Sequence, residues 1–513
     1  MDLLGRPALP ARRPAPGAQQ GRRSSLAERA TEGALLALVA AALCAAGEWG
    51  GLWMNSQLNA PGRPAPGRRQ PAESRADQAA DPTQVSFRPG EFYFRLGGRQ
   101  AFLLGRNPTG WEVQQFAPLL QWAGGAGERM VRLHLTAGMV PSSPAGEVDE
   151  QWAGSWERVF DMAAENGLCV LPVFAVWADW NDGSQGEHWH YWHRNPYNAA
   201  QGGPGRAPAE LFEASECQEL FLKWLAKLVT RWQARGNIMA WEVFSELDLV
   251  TGSSEARAVE FVERTAAVVR NADARHRPIT VSLSGLHDWP RLWQSNAVDL
   301  VQVHPYSADL DQAVISSVRR HLERYGKPVL IGECGLSAAP PDPDSLTMAA
   351  RASVGIRHAI WASAVSGAMN GRMLWWEDGY DQYHQLDLRT RYRDACMPVA
   401  RFLEGVEFEG FRPLEATISP GLKGAAIGNE RCVLGWFRDA SCTPPEWAVR
   451  PVRGASVSIE TAGKAQGWRV EFHETTLGHP LSAAAVSARE GKVTVALPPF
   501  EGSIAIKMRA EER

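Results

Sequence analysis

The chain has 513 residues, a formal net charge of -4 and an apolar fraction of 45%. A chain of this length exceeds one ordinary domain and has room for a barrel of about 250 to 400 residues with a smaller module beside it. Its near-balanced charge supplies no field that would draw nucleic acid or an anionic membrane surface, so neither is expected as a partner on electrostatic grounds. The 21 Trp are a more specific signal, because flat apolar faces stack on sugar rings as well as filling cores.

The beginning of the chain differs from the rest. Residues 1–54 form a basic N-terminal region, with Arg12-Arg13 and Arg22-Arg23 ahead of an apolar run over 33–47. That run has the length of a signal-peptide core and is short for a membrane span, which points to export to a periplasmic or extracellular location. Extension through Trp49, Leu52, Trp53 and Met54 is interrupted only by Glu48. An uncleaved signal anchor, and with it attachment to a membrane, therefore stays open beside a cleaved signal peptide. Residues 55–84, with Pro61, Pro64, Pro66 and Pro71 among Arg and Gln, read as a disordered linker.

From residue 85 to 408, short apolar strands alternate with segments of helical periodicity, the pattern of parallel strands joined by crossover helices. An opening hairpin, Phe92 to Leu96, Gly97-Gly98 and Ala101 to Leu104, would floor the barrel. Strands are expected at 101–107, 129–135, 168–176, 238–245, 278–284, 299–305, 328–333 and 372–377. Helical spacing of apolar residues appears at 156–166, 214–235, 254–273, 307–325 and 346–367. The fold class is α/β, a (β/α)8 TIM barrel followed by a small all-β sandwich domain.

Two of these strands end in a carboxylate, at Trp241-Glu242-Val243-Phe244-Ser245-Glu246 and at Val329-Leu330-Ile331-Gly332-Glu333. An acid at the rim of a doubly buried strand needs a reason. Two at the carboxyl ends of barrel strands read as an acid and nucleophile pair for glycoside hydrolysis. Glu242 lies earlier on its strand and is expected to be a buried structural partner. Glu377 and Asp378 are candidates for a substrate hydroxyl, and His287 and Asp288 for the cleft.

The connection after the third strand is longer than the fold requires. It carries Trp177, Trp180, Trp189, Trp192, Asn195-Pro196-Tyr197-Asn198 and Gly202-Gly203-Pro204. Loops at strand ends build the site of a barrel, so this one should wall a cleft. The run His188-Trp189-His190-Tyr191-Trp192-His193 has no acidic partner at helical spacing and reads as cleft lining, with no metal expected. No pair among the seven Cys has C-x-x-C spacing. No cofactor is implied.

Residues 409–513 change to period-two alternation, at 432–437, 455–459, 468–473, 493–497 and 504–508, with turn signals at Pro444-Pro445, Gly463, Gly478 and Glu490-Gly491. This is a β-sandwich domain whose expected role is packing against the barrel. Cys432 and Cys442 flank a predicted hairpin here and would be placed to bridge in an exported protein.

Taken in order, Gly105-Arg106-Asn107, Val131-Arg132-Leu133, Asn195-Pro196-Tyr197-Asn198, Trp241 to Glu246, Val303-His304-Pro305-Tyr306, Gly332-Glu333 and Trp375-Trp376-Glu377-Asp378 resemble the motifs of clan A glycoside hydrolases. The closest resemblance is to the family-five cellulase and mannanase group with a C-terminal β-sandwich, over roughly residues 85 to 510. It implies a retaining hydrolase of a β-linked oligo- or polysaccharide, with Glu246 as acid/base and Glu333 as nucleophile. Arg132 would hold the nucleophile, Tyr306 would donate to it, and His304 would approach the sugar or the acid. Trp375 or Trp376 would floor the cleaved ring, with strand alternation allowing only one to face inward, and Trp177 and Trp180 would stack on sugar. That family usually has Asn before the acid/base, bonded to the sugar 2-hydroxyl, whereas this chain has Ser245. The departure keeps a second expectation alive, a non-catalytic carbohydrate-binding protein of the cell surface on a glycosidase scaffold.

Overall fold

The computed structural model describes residues 84–137, 141–184, 189–378, 388–461 and 465–511. The expected signal segment, anchor and most of the linker lie outside these residues, as does His188. Among the described residues no helix is long and apolar enough to cross a membrane.

Three short antiparallel strands come first: β1 (Val85–Ser86), β2 (Phe94–Leu96) and β3 (Arg99–Ala101). Gly97 and Gly98 turn β2 into β3 with φ of 54° and 86°, the left-handed pair that suits a two-residue hairpin and that glycine adopts without steric cost. Val85 N–H donates to the Gly236 carbonyl at 3.2 Å, just ahead of a barrel strand. The hairpin therefore sits at the amino-terminal end of the barrel, as its apolar Phe94 leads one to expect.

The barrel strands are β4 (Leu103–Arg106), β5 (Met130–His134), β6 (Cys169–Val176), β7 (Trp241–Ser245), β8 (Ile279–Thr280), β9 (Val301–Val303), β10 (Val329–Ile331) and β11 (Asn370–Arg372). Six pair in the parallel order β11-β4-β5-β6-β7-β8, and β9 and β10 pair in parallel with each other. Backbone bonds across the two remaining seams close the cylinder, Asp299 N–H to the Ile279 carbonyl and Met369 N–H to the Val329 carbonyl, each 2.9 Å. At the second seam the Asn370 amide both accepts from Ile331 N–H and donates to the Ile331 carbonyl, each at 2.8 Å. A side chain there does the work of a missing ladder rung.

Crossover helices α1 (Val113–Gly125), α2 (Glu150–Glu165), α3 (Glu216–Trp232), α4 (Glu255–Ala272), α5 (Pro290–Gln294), α6 (Leu310–Tyr325) and α7 (Ala352–Ser366) surround the strands. Their starts follow local chemistry. The Asp149, Ser215 and Ser254 side chains accept from the N–H of Trp152, Gln218 and Arg257, satisfying donors that the first helical turn leaves free. Helix α7 differs from the others because it is buried nearly all round, with Ile356, Ala359, Ile360, Trp361 and Val365 among its buried residues. A helix of that kind needs cover on every side.

The cover comes from the C-terminal domain. After two short helices, α8 (Leu388–Tyr392) and α9 (Met397–Phe402), the chain forms β12 (Arg412–Leu414), β13 (Ala416–Ile418), β14 (Leu422–Gly428), β15 (Cys432–Asp439), β16 (Pro451–Val452), β17 (Ser456–Glu460), β18 (Gly467–Glu474), β19 (Pro480–Ser487), β20 (Lys492–Ala496), β21 (Phe500–Glu501) and β22 (Ser503–Ala510). A six-stranded antiparallel sheet runs β12-β14-β15-β22-β18-β19, a three-stranded one β13-β17-β20, and β16 pairs with β21. Val433, Phe437, Val457, Ile459, Trp468, Val470, Ile504 and Ile506 form the core of this domain. The fold is thus a (β/α)8 barrel followed by an all-β domain, as the periodicities imply. The expected Cys432–Cys442 bridge is corrected: both thiols are free and buried. The strand beginning at Cys432 pairs with β14 and β22 rather than folding back on the segment that holds Cys442, so the two sulfurs are never brought together.

Charge fastens the two domains. The buried Arg438 of β15 donates to Asp311 at 2.8 Å and to Asp309 at 2.7 Å, both at the start of α6. Trp361 of α7 donates to the Thr475 carbonyl at 3.0 Å. Removing one member of a buried pair strands the other charge, whereas removing both is often close to neutral. Arg438→Leu is accordingly expected to cost about 3 kcal/mol and to lower Tm in calorimetry, and the double change Arg438→Leu, Asp311→Leu to recover much of that loss. A double variant as unstable as the single one would show that shape, not charge, joins the domains here.

Candidate functional site

The strand ends bring together a set of polar residues around one guanidinium. Arg132 of β5 is fully buried. It donates through Nε and Nη2 to the two oxygens of Glu242, both at 2.7 Å. Nη1 reaches Glu333 Oε1 at 2.8 Å and Asn107 Oδ1 at 3.3 Å, and Nη2 also reaches Ser245 Oγ at 2.9 Å. Glu242 accepts further from Ser282 at 3.1 Å and Gln302 at 2.8 Å. The glutamate read from sequence as a structural partner is therefore the counter-charge of the arginine. Asn107 in turn donates to the Gly332 carbonyl at 3.0 Å, fixing the residue before Glu333. At Gly332 a Cβ would collide with the Gln302 amide and the His304 ring, so glycine is what lets these side chains pass behind the strand end.

Glu333 accepts from Arg132 on one oxygen and from the Tyr306 hydroxyl on the other, at 2.6 Å. Glu246 Oε1 accepts from His304 Nδ1 at 2.9 Å. Oxygens of Glu246 and Glu333 and a ring nitrogen of His304 lie within 4.8 Å of one another. Burial pushes Glu246 above the usual carboxylate range, and the Glu333 charge adds to this against the His304 hydrogen bond. Burial acts on Glu333 in the same sense, but there the charges of His304 and Arg132 and the hydrogen bonds from Tyr306 and Arg132 outweigh it and hold the group low. The two carboxyls are thus driven apart in proton affinity. Among the described residues this trio is the one grouping with metal-ligand spacing. Since Arg132 and Tyr306 already occupy the oxygens of Glu333, its chemistry suits proton transfer rather than cation binding.

Glu246 also has an uncommon backbone, with φ 55° and ψ 55°, a left-handed conformation rare for residues other than glycine. Its N–H is held by Ser282 Oγ at 2.9 Å. The turn lifts the carboxylate out of the strand and over the cleft.

The cleft above the pair has a volume of about 660 Å³ and is lined by Ser245, Glu246, Tyr306, Glu333, Trp375 and Trp376, by His134, and by Trp177, Asp179, Trp189, Tyr191 and Arg194 of the loop after β6. Several expectations about it are corrected. Both Trp375 and Trp376 line it, because β11 ends at Arg372 and strand alternation no longer governs them. Trp180 does not. It is buried against Trp192, Tyr197 and Phe221, with ring centroids 5.4, 5.1 and 6.1 Å away. Asp378 is held by both terminal nitrogens of Arg372, at 2.5 and 2.6 Å, and Glu377 is fully buried, pushed up to about 8 by its desolvation. Neither offers a free carboxylate to a hydroxyl. His287 is tied to Asp248 at 2.6 Å and Asp288 to Arg324 and Tyr325 of α6, each at 2.6 Å. The loop after β8 meets the cleft through Ser284 and Gly285 instead.

Two further cleft residues, His134 and Asp179, carry a signal in the sequence. His134 is two positions beyond Arg132 on one strand, hence on the same face. Asp179 lies in the aromatic loop, accepts from Thr136 at 2.7 Å, and is pushed up to about 6 by burial.

No sequence among the curated proteins matches this chain. In solved structures the fold recurs: a chain described as a glycoside hydrolase superposes with TM-score 0.56 at 10% identity, covering 84% of this chain and 97% of its own. A glycoside hydrolase family 5 structure from Bacteroides vulgatus has TM-score 0.56 at 12% identity, with 84% and 95% covered. A putative glycoside hydrolase from the same organism has TM-score 0.53 at 13% identity, with 85% and 84% covered. At these identities the likeness is one of fold. The family model described as cellulase (glycosyl hydrolase family 5) matches residues 106–367, just over half of the chain and the whole stretch that supplies Arg132, Glu246, His304 and Glu333; the chain belongs to glycosyl hydrolase family 5.

Proposed function

We propose that this protein is a retaining glycoside hydrolase acting on a β-linked glycan of the glucan or mannan type, with Glu333 as nucleophile and Glu246 as acid/base. The observation that carries the reading is the carboxylate pair itself, with an oxygen of one within 4.8 Å of an oxygen of the other and opposite shifts in proton affinity. Retaining enzymes hold the two carboxyls about 5 to 5.5 Å apart, whereas inverting ones leave about 6.5 to 9.5 Å for a water. In the first step a Glu333 oxygen bonds to the anomeric carbon as the bond to the leaving oxygen breaks, and Glu246 gives its proton to that oxygen. In the second, Glu246 takes a proton from water, whose oxygen displaces Glu333. Arg132 and Tyr306 stabilise Glu333 as a carboxylate before attack and after release, and Trp375 and Trp376 supply flat surfaces for the ring. Support for export rests on the apolar run over 33–47 alone.

A panel of nitrophenyl β-glycosides and β-linked polysaccharides tests this directly. Turnover with a β-configured first product is expected; an α-configured product would make the enzyme inverting, and no turnover on any substrate would return the reading to a non-catalytic binder. Glu333→Ala should lose all but a trace of kcat. Glu246→Ala should keep measurable turnover only on substrates with good leaving groups, with azide restoring rate and giving a β-azide.

The pH profile of kcat/KM should be bell-shaped. Activity falls on the acid side as Glu333, held low, takes up a proton, and on the alkaline side as Glu246, held high, loses one. In Glu246→Gln measured on an activated aryl glycoside the alkaline limb should disappear. A limb that persisted unchanged would assign it to another group.

The loop tryptophans should separate by burial. Trp177→Ala is expected to raise KM several-fold with Tm nearly unchanged, since a stacked ring contributes about 1 kcal/mol. Trp180→Ala removes a fully packed indole and should cost about 3 to 5 kcal/mol of stability. The reverse pattern would contradict the placement of the cleft.

A further inference from the structure

The cleft contains one imidazole that the mechanism above does not use. His134 Nε2 lies 3.3 Å from Ser245 Oγ and 3.8 Å from Glu333 Oε1, and the ring edge packs on Trp375 with centroids 4.9 Å apart at 72°. The ring is held from two sides, by a tryptophan that lines the cleft and by the network on Arg132. Its other nitrogen, Nδ1, makes no hydrogen bond among the described residues and is not one of the buried unpaired polar atoms, although the side chain lines the cleft. That nitrogen is open to whatever occupies the cleft.

The hydrogen-bond inventory assigns its proton. Ser245 Oγ accepts from Arg132 Nη2 at 2.9 Å. Its own hydrogen has His134 Nε2 in range at 3.3 Å, whereas in the contact with Ser282 Oγ at 3.5 Å Ser245 is placed as the acceptor. Ser282 already donates to Glu242 and accepts from Glu246 N–H, so the imidazole is the nearer and less committed partner. A neutral imidazole that accepts at Nε2 carries its hydrogen on Nδ1. Burial, with the Arg132 and His304 charges, lowers the proton affinity of His134 far below its ordinary value, which keeps it in this neutral form.

We infer that His134 is a specificity-determining residue of the cleft, donating from Nδ1 to the hydroxyl on the sugar carbon next to the reacting one, with Ser245 holding the imidazole in that tautomer. The inference rests on the reading of Glu333 as nucleophile, because it is the distance to that carboxylate that selects the hydroxyl. His134 Nε2 lies 3.8 Å from Glu333 Oε1 and Nδ1 is separated from it by one carbon of the same ring, so the donor faces the sugar that Glu333 attacks, nearest its reacting carbon and the two ring neighbours of that carbon. Of these, one is the ring oxygen and the other carries the 2-hydroxyl.

The experiment compares an aryl β-glycoside with its 2-deoxy counterpart in wild type, His134→Ala, His134→Asn and His134→Gln. Loss of a hydrogen bond made to the reacting sugar should lower kcat/KM at least ~10-fold on the parent substrate in His134→Ala, with little change on the 2-deoxy glycoside. Asn, whose amide falls near the imidazole Nδ1 position, should recover more than Gln, whose amide falls nearer Nε2. Equal losses on both substrates would overturn the inference and leave His134 as packing for Trp375 and Ser245. If wild type turns over neither glycoside the functional reading has failed separately. The same substrate pair compared by calorimetric binding then decides the point, since wild type should bind the parent more tightly than the 2-deoxy compound and His134→Ala should bind both alike. Wild type binding both alike would overturn it.

Discussion

A guanidinium with no exposure to water lies under the carboxyl ends of the barrel strands, and the rest of the site is arranged around it. Taking Arg132 out of water carries a penalty that one counter-charge in ideal geometry can offset, and Glu242, equally buried, supplies it with two bonds of 2.7 Å. Glu242 in turn needs donors for its remaining lone pairs and finds them in Ser282 and Gln302. The chain of requirements runs from β5 to β7, to the segment following β8, and to β9. Only after that pair is satisfied does Nη1 remain to hold Glu333. A lysine in this place has a single charged nitrogen and could not bind one carboxylate along its fork while reaching another.

From this follows the division of labour between two glutamates that differ little in chemistry. Glu333 lies two residues beyond β10, faces the arginine and receives the Tyr306 hydroxyl, so its charged form is the favoured one. Glu246 leaves its strand through a left-handed turn that carries it away from Arg132 and leaves His304 as its side-chain hydrogen-bond partner. Backbone strain of that sort costs of order 1 kcal/mol or more and persists where the surroundings over-determine it. Here Ser282 Oγ holds the Glu246 N–H, and the same hydroxyl donates to Glu242. The strained turn and the buried ion pair are thereby one structure.

This explains which parts of the molecule were legible in the sequence. Barrel strands buried on both faces are continuous apolar runs, and a carboxylate at the end of such a run stands out, as Glu246 and Glu333 do. What failed to show were features decided by tertiary context. Strand β11 stops at Arg372, which has φ 73° and turns its side chain to Asp378, so the alternation expected through Trp375 and Trp376 does not exist. Composition marked the loop after β6 as aromatic but could not sort Trp177, facing the cleft, from Trp180, packed on Phe221. In the C-terminal domain β14 went unseen because Gly424, Ala425, Ala426 and Gly428 give no apolar alternation. Strand β19 was missed because, as an edge strand largely exposed on both faces, it has no buried face to write into its sequence.

The β domain is part of the same physical problem, and not an appendage. Helix α7 carries Ile356, Ile360, Trp361 and Val365 on different faces, more apolar surface than the barrel alone covers. Trp447 of the β domain packs so closely on Gly355 of that helix that a Cβ there would meet its indole ring, and Trp436 packs on His358 with ring centroids 5.5 Å apart. Both contacts lie on the helix that leads directly into β11, whose Asn370 closes the seam to β10. The strand on the far side of that seam runs into Glu333. Covering α7 therefore fixes the strand pair that presents the nucleophile candidate, and a barrel without its β domain would expose the apolar helix that keeps this seam closed.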